Sequence, residues 1–348
     1  MKIKTKELIK ILQVVRPGLA KKEIVEQSTH FVFSGEEIVT YNDRVCISHP
    51  LKSDFHCSVQ AEDFYKIVSN IEEEEIDLSF EKGEIWIGSK ETRAGLKTLV
   101  SGEIEKLIDI LNLPSLEKKW VKLPKEFIEG IFLCMFSASQ DMTKGVLNSV
   151  SVGGNTIVSS DNLRISKYQM KDRIQKKFLL PLSSAIELVK FSIVEYVLTS
   201  NWIHFRTEDD VVFSSRIEVG DFPAIDSFLK VEGETFTFPD GLKKAVKDVS
   251  VIAEGEYDLD KRIEVKIDKG IITCLGQDKN RGWIERDTEM KYKGEKILFL
   301  INPSFFYQIL EKSVKMTLGG DRALFVSEQF VHVMVLPVDE EKKGRLNK

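Results

Sequence analysis

Apolar positions follow two rhythms, a helical one at three and four residues and a strand one at two, and the order of these rhythms returns along the chain. Around the i,i+4 pair Phe306/Leu310, the apolar run "ILFLI" leads into a helical stretch, and "SVKMTLGGDRALFVS" follows as strand, turn and strand. The same order stands 121 positions earlier, at Ala185/Val189 in "KFLLPLSSAIELVK" followed by "IVEYVLTSNWIHFRT". It stands a further 121 positions back at Phe64/Val68 in "FHCSVQAEDFYKIVSN", followed by "EIDLSFEKGEIWIGS".

Between these units lies a second set of three, opening with "KIKTKELIKIL", "VKLPKEFIEGIFL" and "FTFPDGLKKAV". Each predicts a short strand running into a helix, with apolar faces Leu8/Ile11/Leu12/Val15, Phe127/Ile131/Phe132 and Leu242/Ala245/Val246/Val249. A strand follows each: "EEIVTYND", "NTIVSSDN" and "KGIITCLG". The helix starts fit capping chemistry, with Asn302 before Pro303 and Ser184-x-x-Glu187 as a capping box. A period this long is a domain length rather than a solenoid repeat. The expected fold is α+β: three tandem similar domains, each a doubled strand-helix-strand unit, at 1–116, 117–231 and 232–340, with a charged tail at 341–348. Linkers are expected near "LPSLEKKW" and "SFLKVEGE".

Composition narrows the function. The 348 residues are 42% hydrophobic and 30% charged, and no apolar run reaches the roughly 18 residues of a membrane span. No segment near the start resembles a signal peptide, so a cytoplasmic protein without a membrane partner is expected. Cys46, Cys57, Cys134 and Cys274 lack C-x-x-C spacing and read as buried free thiols. With 50 basic against 55 acidic residues, net −5, the chain is no polycation, so binding to DNA requires segregated charge. No P-loop, G-x-G-x-x-G, H-E-x-x-H or G-x-S-x-G motif is present, and His30, His49, His56, His204 and His332 lack metal-ligand spacing. Asp161 and Arg164 sit on a repeated turn. No catalytic residue, metal or cofactor is expected.

Three segments, "GVLNSVSVGGNTIVSSDNLRISKYQM", "VVFSSRIEVGDFPAIDSFL" and "HVMVLPV", stand in an order and at separations that, with the repeat, resemble the bacterial β sliding clamps, the processivity subunit of the replicative polymerase, DNA polymerase III. The resemblance covers nearly the whole chain. It implies a head-to-tail homodimeric ring around double-stranded DNA, sheets outside and helices lining the hole, without bond chemistry. It also implies partners: a DNA polymerase, a clamp loader, and repair proteins that dock short peptides.

By the same resemblance, the lining lysines are Lys6 and Lys10 on the first helix, Lys243, Lys244 and Lys247 on the fifth, and Lys312 on the sixth, with Lys21 and Lys22 on a DNA-contacting loop. The implied peptide pocket comprises Leu147, Ser160, Asn162, Leu163, Arg164 and Ile165, then Pro223, Ser227 and Phe228, then Met334, Leu336, Pro337 and Val338. Their apolar character suits one or two leucine or phenylalanine anchors, with Arg164 fixing orientation. Leu96, Val251 and Ile252 are implied at the subunit interface. Two departures stand out. Asn162-Leu163 replaces the Gly-His usual before the arginine, removing a glycine's backbone freedom, and Gly145-Val146 replaces the usual aromatic residues. The alternative is a clamp-fold scaffold or inhibitor that binds replication proteins without encircling DNA.

Overall fold

The computed structural model describes residues 1–23, 25–99, 106, 111, 113–255 and 257–337. Two compact units emerge, one formed by Met1–Glu129 with Ile174–Val219 and the other by Gly130–Arg173 with the chain from Gly220 onwards. The helices described over their whole length are α1 (Thr5–Val15), α2 (Ala61–Ser69), α3 (Phe127–Met135), α4 (Leu182–Leu188), α5 (Leu242–Val249) and α6 (Pro303–Leu310).

The repeat is visible in the cores. Phe64 on α2, Ala185 on α4 and Phe306 on α6 are all fully buried, and each helix is preceded by a strand and followed by two. The apolar stripes of α1 and α5 are buried throughout, as their spacing predicts. Asn302 caps α6 by accepting from the Phe305 amide at 3.1 Å. The four cysteines are buried and form no disulfide. Three local readings change. α4 starts one turn early at Pro181, so Ser184 is not its cap but a buried hydroxyl accepting from Ser215 Oγ at 2.8 Å. α4 also ends at Leu188, which is buried in place of Val189. Phe132 is 50% exposed, because α3 is apolar on nearly every side and its pattern does not select a face.

In the first unit, a twelve-stranded sheet takes its strands in the order Lys2–Lys4, Glu75–Glu81, Glu84–Gly88, Arg93–Leu99, His56–Gln60, His30–Ser34, Glu37–Tyr41, Val45–Pro50, Val212–Arg216, Trp202–Thr207, Ile193–Leu198 and Val121–Lys122. The order is continuous, but one junction is thin. Strand Arg93–Leu99 pairs along Arg93–Lys97 with Glu84–Gly88, while on its other side it meets only Ser58 and Val59, through Leu99 and Thr98. The outer edge of Arg93–Lys97 is therefore open among the described residues.

In the second unit, a six-stranded sheet runs Ser149–Ser160, Arg164–Pro181, Phe330–Val335, Arg322–Ser327, Lys315–Leu318 and Glu234–Thr237. A four-stranded sheet runs Gly282–Glu289, Ile271–Asp278, Ile263–Asp268 and Ile297–Ile301. α5 packs on α6 and on the strands Ile271–Asp278 and Gly282–Glu289. Gly282–Glu289 is thus an open edge strand backed by a helix.

Candidate functional site

The segments read as a peptide pocket fall in the second unit. Their centre is the turn joining Ser149–Ser160 to Arg164–Pro181. Asp161 Oδ1 accepts from the amides of Leu163 and Arg164, both at 3.0 Å, and Ser160 Oγ accepts from the Asn162 amide at 3.2 Å. Asn162 holds φ +76°, the left-handed conformation, which asparagine adopts more readily than most side chains. The glycine freedom expected to be lost is supplied by asparagine instead.

Arg164 is only 6% exposed. Its Nε donates to Asp161 Oδ2 at 2.9 Å and its Nη1 to Gln308 Oε1 at 2.6 Å. The guanidinium lies 3.8 Å from the Phe305 ring centroid and 5.2 Å from that of Phe136. Burial lowers its pKa, and Asp161 opposes the shift. Two of its donor nitrogens and its stacking faces are thus engaged, and the side chain braces the turn from below. Phe136, Phe305 and Gln308 were not singled out in the sequence. Their only signal is that Phe305 and Gln308 lie three apart on α6 and so share a face.

Strand pairing gathers the remaining segments. Arg164 faces Met334 and Ile165 faces Val333 across the ladder, and the Val335 amide donates to the Leu163 carbonyl at 2.8 Å. Ile165 packs with Val158 and Ile225, beside Phe222 and Leu229, so the Pro223–Phe228 stretch is held against the same strand. Arg322 Nη1 reaches the Phe228 carbonyl at 3.4 Å, and Arg322 pairs with Val335 in the neighbouring ladder. The outcome is a surface on which Leu163 is 37% exposed, Phe228 51% and Val335 46%, over buried Ile165, Met334 and Leu336. Ser160 is buried, Asn162, Pro223 and Ser227 are exposed, and Pro337 is half-buried. Leu147 lies on the separate segment Met142–Asn148, half-buried, its carbonyl accepting from the Ser139 amide at 2.8 Å. Val338 and the tail 341–348 lie outside the described residues.

Beneath this surface His332 is fully buried. Its Nδ1 is 2.9 Å from Ser166 Oγ, which is 2.7 Å from Ser137 Oγ, and its ring stacks on Phe136 at 5.1 Å. Burial, with Arg164 and Lys312 nearby, holds its pKa well below the usual histidine value. Lys312 Nζ sits 4.5 Å from the Phe132 ring centroid and 5.0 Å from that of Phe136, and burial lowers its pKa.

The remaining lysines differ in their freedom. Lys6, Lys10, Lys21 and Lys22 in the first unit and Lys244 and Lys247 in the second are exposed. Lys243 donates to Glu311 Oε1 at 2.6 Å, so its charge is partly neutralised. The Lys21–Lys22 loop is tied back by the Ala20 amide donating to the Ser28 carbonyl at 2.8 Å and by buried Gln27, whose Nε2 donates to Ser58 Oγ at 2.9 Å. Leu96 is half-buried on the open edge Arg93–Lys97, Val251 is 64% exposed after α5, and Ile252 beside it is half-buried.

Solved structures decide the fold. A DNA polymerase β subunit from Streptococcus pyogenes matches with TM-score 0.82 at 17% identity, over 97% of this chain and 99% of that one. The chain has the sliding-clamp fold. The DNA polymerase sliding clamp of Bacillus subtilis matches at TM-score 0.81 and 16% identity, over 97% of this chain and 98% of that one. The DNA polymerase III β subunit of Thermotoga maritima matches at 0.78 and 17%, over 97% and 99%. No family model and no curated protein sequence matches. The clamp fold is therefore carried here by a widely divergent sequence, and the sheet edges and turns above are its local expression.

Proposed function

We propose that this chain is a DNA sliding clamp: two copies joined head to tail close a ring around duplex DNA and tether a DNA polymerase for processive synthesis. The observation that carries the reading is the likeness over 97% of this chain and 99% of the DNA polymerase β subunit from Streptococcus pyogenes. The three domains of the ring subunit are 1–116, 117–231 and 232–340. Equal spacing of the buried positions Phe64, Ala185 and Phe306 supports that partition. The protein performs no bond chemistry. Retention is topological, so weak, mobile phosphate contacts suffice and allow sliding.

In this reading the exposed lysines Lys6, Lys10, Lys244 and Lys247 face DNA, Lys21 and Lys22 meet it from their loop, and Lys243 contributes less. The open edges Arg93–Lys97 and Gly282–Glu289 join between copies, near Leu96, Val251 and Ile252. Polymerase, loader and repair proteins dock apolar peptide side chains on Leu163, Phe228 and Val335, with Arg164 bracing the turn that presents Leu163. Exposed Phe228 is the residue to change: Phe228→Asp is expected to abolish capture of the cognate polymerase while the fold, read by circular dichroism, persists. Undiminished capture would remove the docking assignment. Retention on circular but not linear duplex tests the ring itself; equal loss from both would favour a scaffold that binds replication proteins without encircling DNA.

A further inference from the structure

Two open strand edges each end beside a cleft, and the two clefts carry opposite charge. In the first unit, Glu73 Oε1 accepts from Ser89 Oγ at 2.5 Å and from the Glu91 amide at 3.0 Å. This fastens Glu72–Glu75 to the turn that leads directly into the open edge at Arg93. A cleft of about 650 Å³ there is lined by Glu73, Glu74, Glu75 and Asp77, with Lys2 and Lys90 as the basic groups. Lys2 approaches Glu75 only to 3.8 Å, and the carboxylates of Glu72 and Glu74 have no ion pair among the described residues.

In the second unit, the edge strand Gly282–Glu289 runs into a cleft of about 1020 Å³. Its floor includes Phe236 and Tyr292, whose rings meet edge-on at 6.3 Å, and Tyr292 is pinned by donating to Glu234 Oε1 at 2.6 Å. Its rim carries exposed Lys269, Lys291 and Lys293. The Gly270 carbonyl accepts from the Met290 amide at 2.8 Å, which sets Lys269 beside Lys291. None of the three lysines has an ion pair among the described residues; the acidic groups lining the cleft are Asp240 and Glu289, and Glu234 is occupied by the Tyr292 hydroxyl.

We propose that the lysine-rimmed cleft of one copy receives the Glu72–Glu75 corner of a second copy and so sets the direction of head-to-tail pairing. This rests on the two-copy ring proposed above. If the open edges join antiparallel, as the ladders beside them do, Arg93 lies at the Glu289 end, and the acidic corner adjoining Arg93 arrives at the lysines that follow Glu289. At the other end Leu99, 40% exposed, arrives near Trp283, 71% exposed. Parallel joining would bring Lys97 to those lysines instead. Complementary charge thus favours one direction, and like charge opposes the other.

The test exchanges the charges in the full chain: Lys291→Glu with Lys293→Glu in one variant, Glu72→Lys with Glu74→Lys in another, and all four changes in a third. Self-association is followed by analytical ultracentrifugation, with circular dichroism as the check on folding. Each two-site variant should associate about tenfold or more weakly than the unaltered chain. A one-to-one mixture of the two, and the four-site variant alone, should regain most of that association. Unweakened two-site variants, or weakening without recovery in the mixture and the four-site chain, would overturn the contact while leaving the ring intact. An unaltered chain that stays monomeric at every concentration would remove the ring and the contact together.

Discussion

Arg164 separates what a residue's identity tells from what its surroundings decide. Its place on a turn with Asp161 is legible in the sequence, but Gln308 lies 144 positions away and only the fold brings it to the guanidinium. In the structure the arginine braces the turn through Asp161 and Gln308. Asn162 shows the converse: backbone chemistry that seemed to require glycine is met by a side chain that tolerates positive φ. Histidine burial has a consequence at this scale. Burial pushes the His204 pKa down to about 4, and its ring stays neutral while Nδ1 lies 2.8 Å from Ser214 Oγ. The unfolded chain, with a histidine pKa of about 6.5, takes up the proton first, so stability is whole above about pH 6.5 and falls as pH drops towards 4. At about 1.4 kcal/mol per pKa unit the loss approaches about 3 kcal/mol at the lower limit. His332 acts in the same direction. Urea midpoints measured from pH 7 to pH 4.5 should decline, and His204→Gln should flatten the decline. An unchanged slope in that variant would place the acid sensitivity elsewhere.

At the scale of elements, sequence periodicity placed α1 to α6 but filled their faces unevenly. α1 and α5 alternate apolar and charged residues sharply, so their buried stripes are legible; α3 is apolar nearly all round, so its pattern predicts Phe132 inward while the structure turns it outward. The repeated helices share a buried position but not a side chain. Phe64 packs against Phe31 and Phe33, and Phe306 against Phe238 and Phe325. At Ala185 there is no ring, and the aromatic contacts that follow α4 in the chain are those of Phe213 with Phe191 and Phe205. Opposite substitutions should therefore both destabilise. Phe306→Ala leaves a cavity and should cost about 3–5 kcal/mol, while Ala185→Phe forces a ring into a filled site and should cost about 1–3 kcal/mol. Equilibrium unfolding in urea reads both. A neutral Ala185→Phe would mean that the equivalent position holds space for a ring and that the repeat is closer in packing than in sequence.

For the whole molecule, the threefold period was legible because it lies within one chain, whereas closure into a ring depends on how open edges meet between copies. The proposed clamp makes a prediction that ordinary DNA binding does not. A protein held by phosphate contacts loses affinity steeply with salt, by about 0.9 in log K per log salt for each contact. This chain carries net charge −5, and Lys243 is already engaged with Glu311, so its grip on phosphate rests on a few exposed lysines. A closed ring on a circular duplex has no exit except opening at a subunit interface, while on a linear duplex it slides off an end. Once loaded on a closed circle, the protein should therefore remain through a step from about 50 mM to about 500 mM salt, provided the interface holds, and cutting the circle once should release it at either concentration. Gel filtration of the DNA-bound fraction before and after linearisation makes the measurement. Release from intact circles by salt alone, with the two-copy species still present in solution at that salt, would show that contact rather than topology holds the protein and would sink the ring.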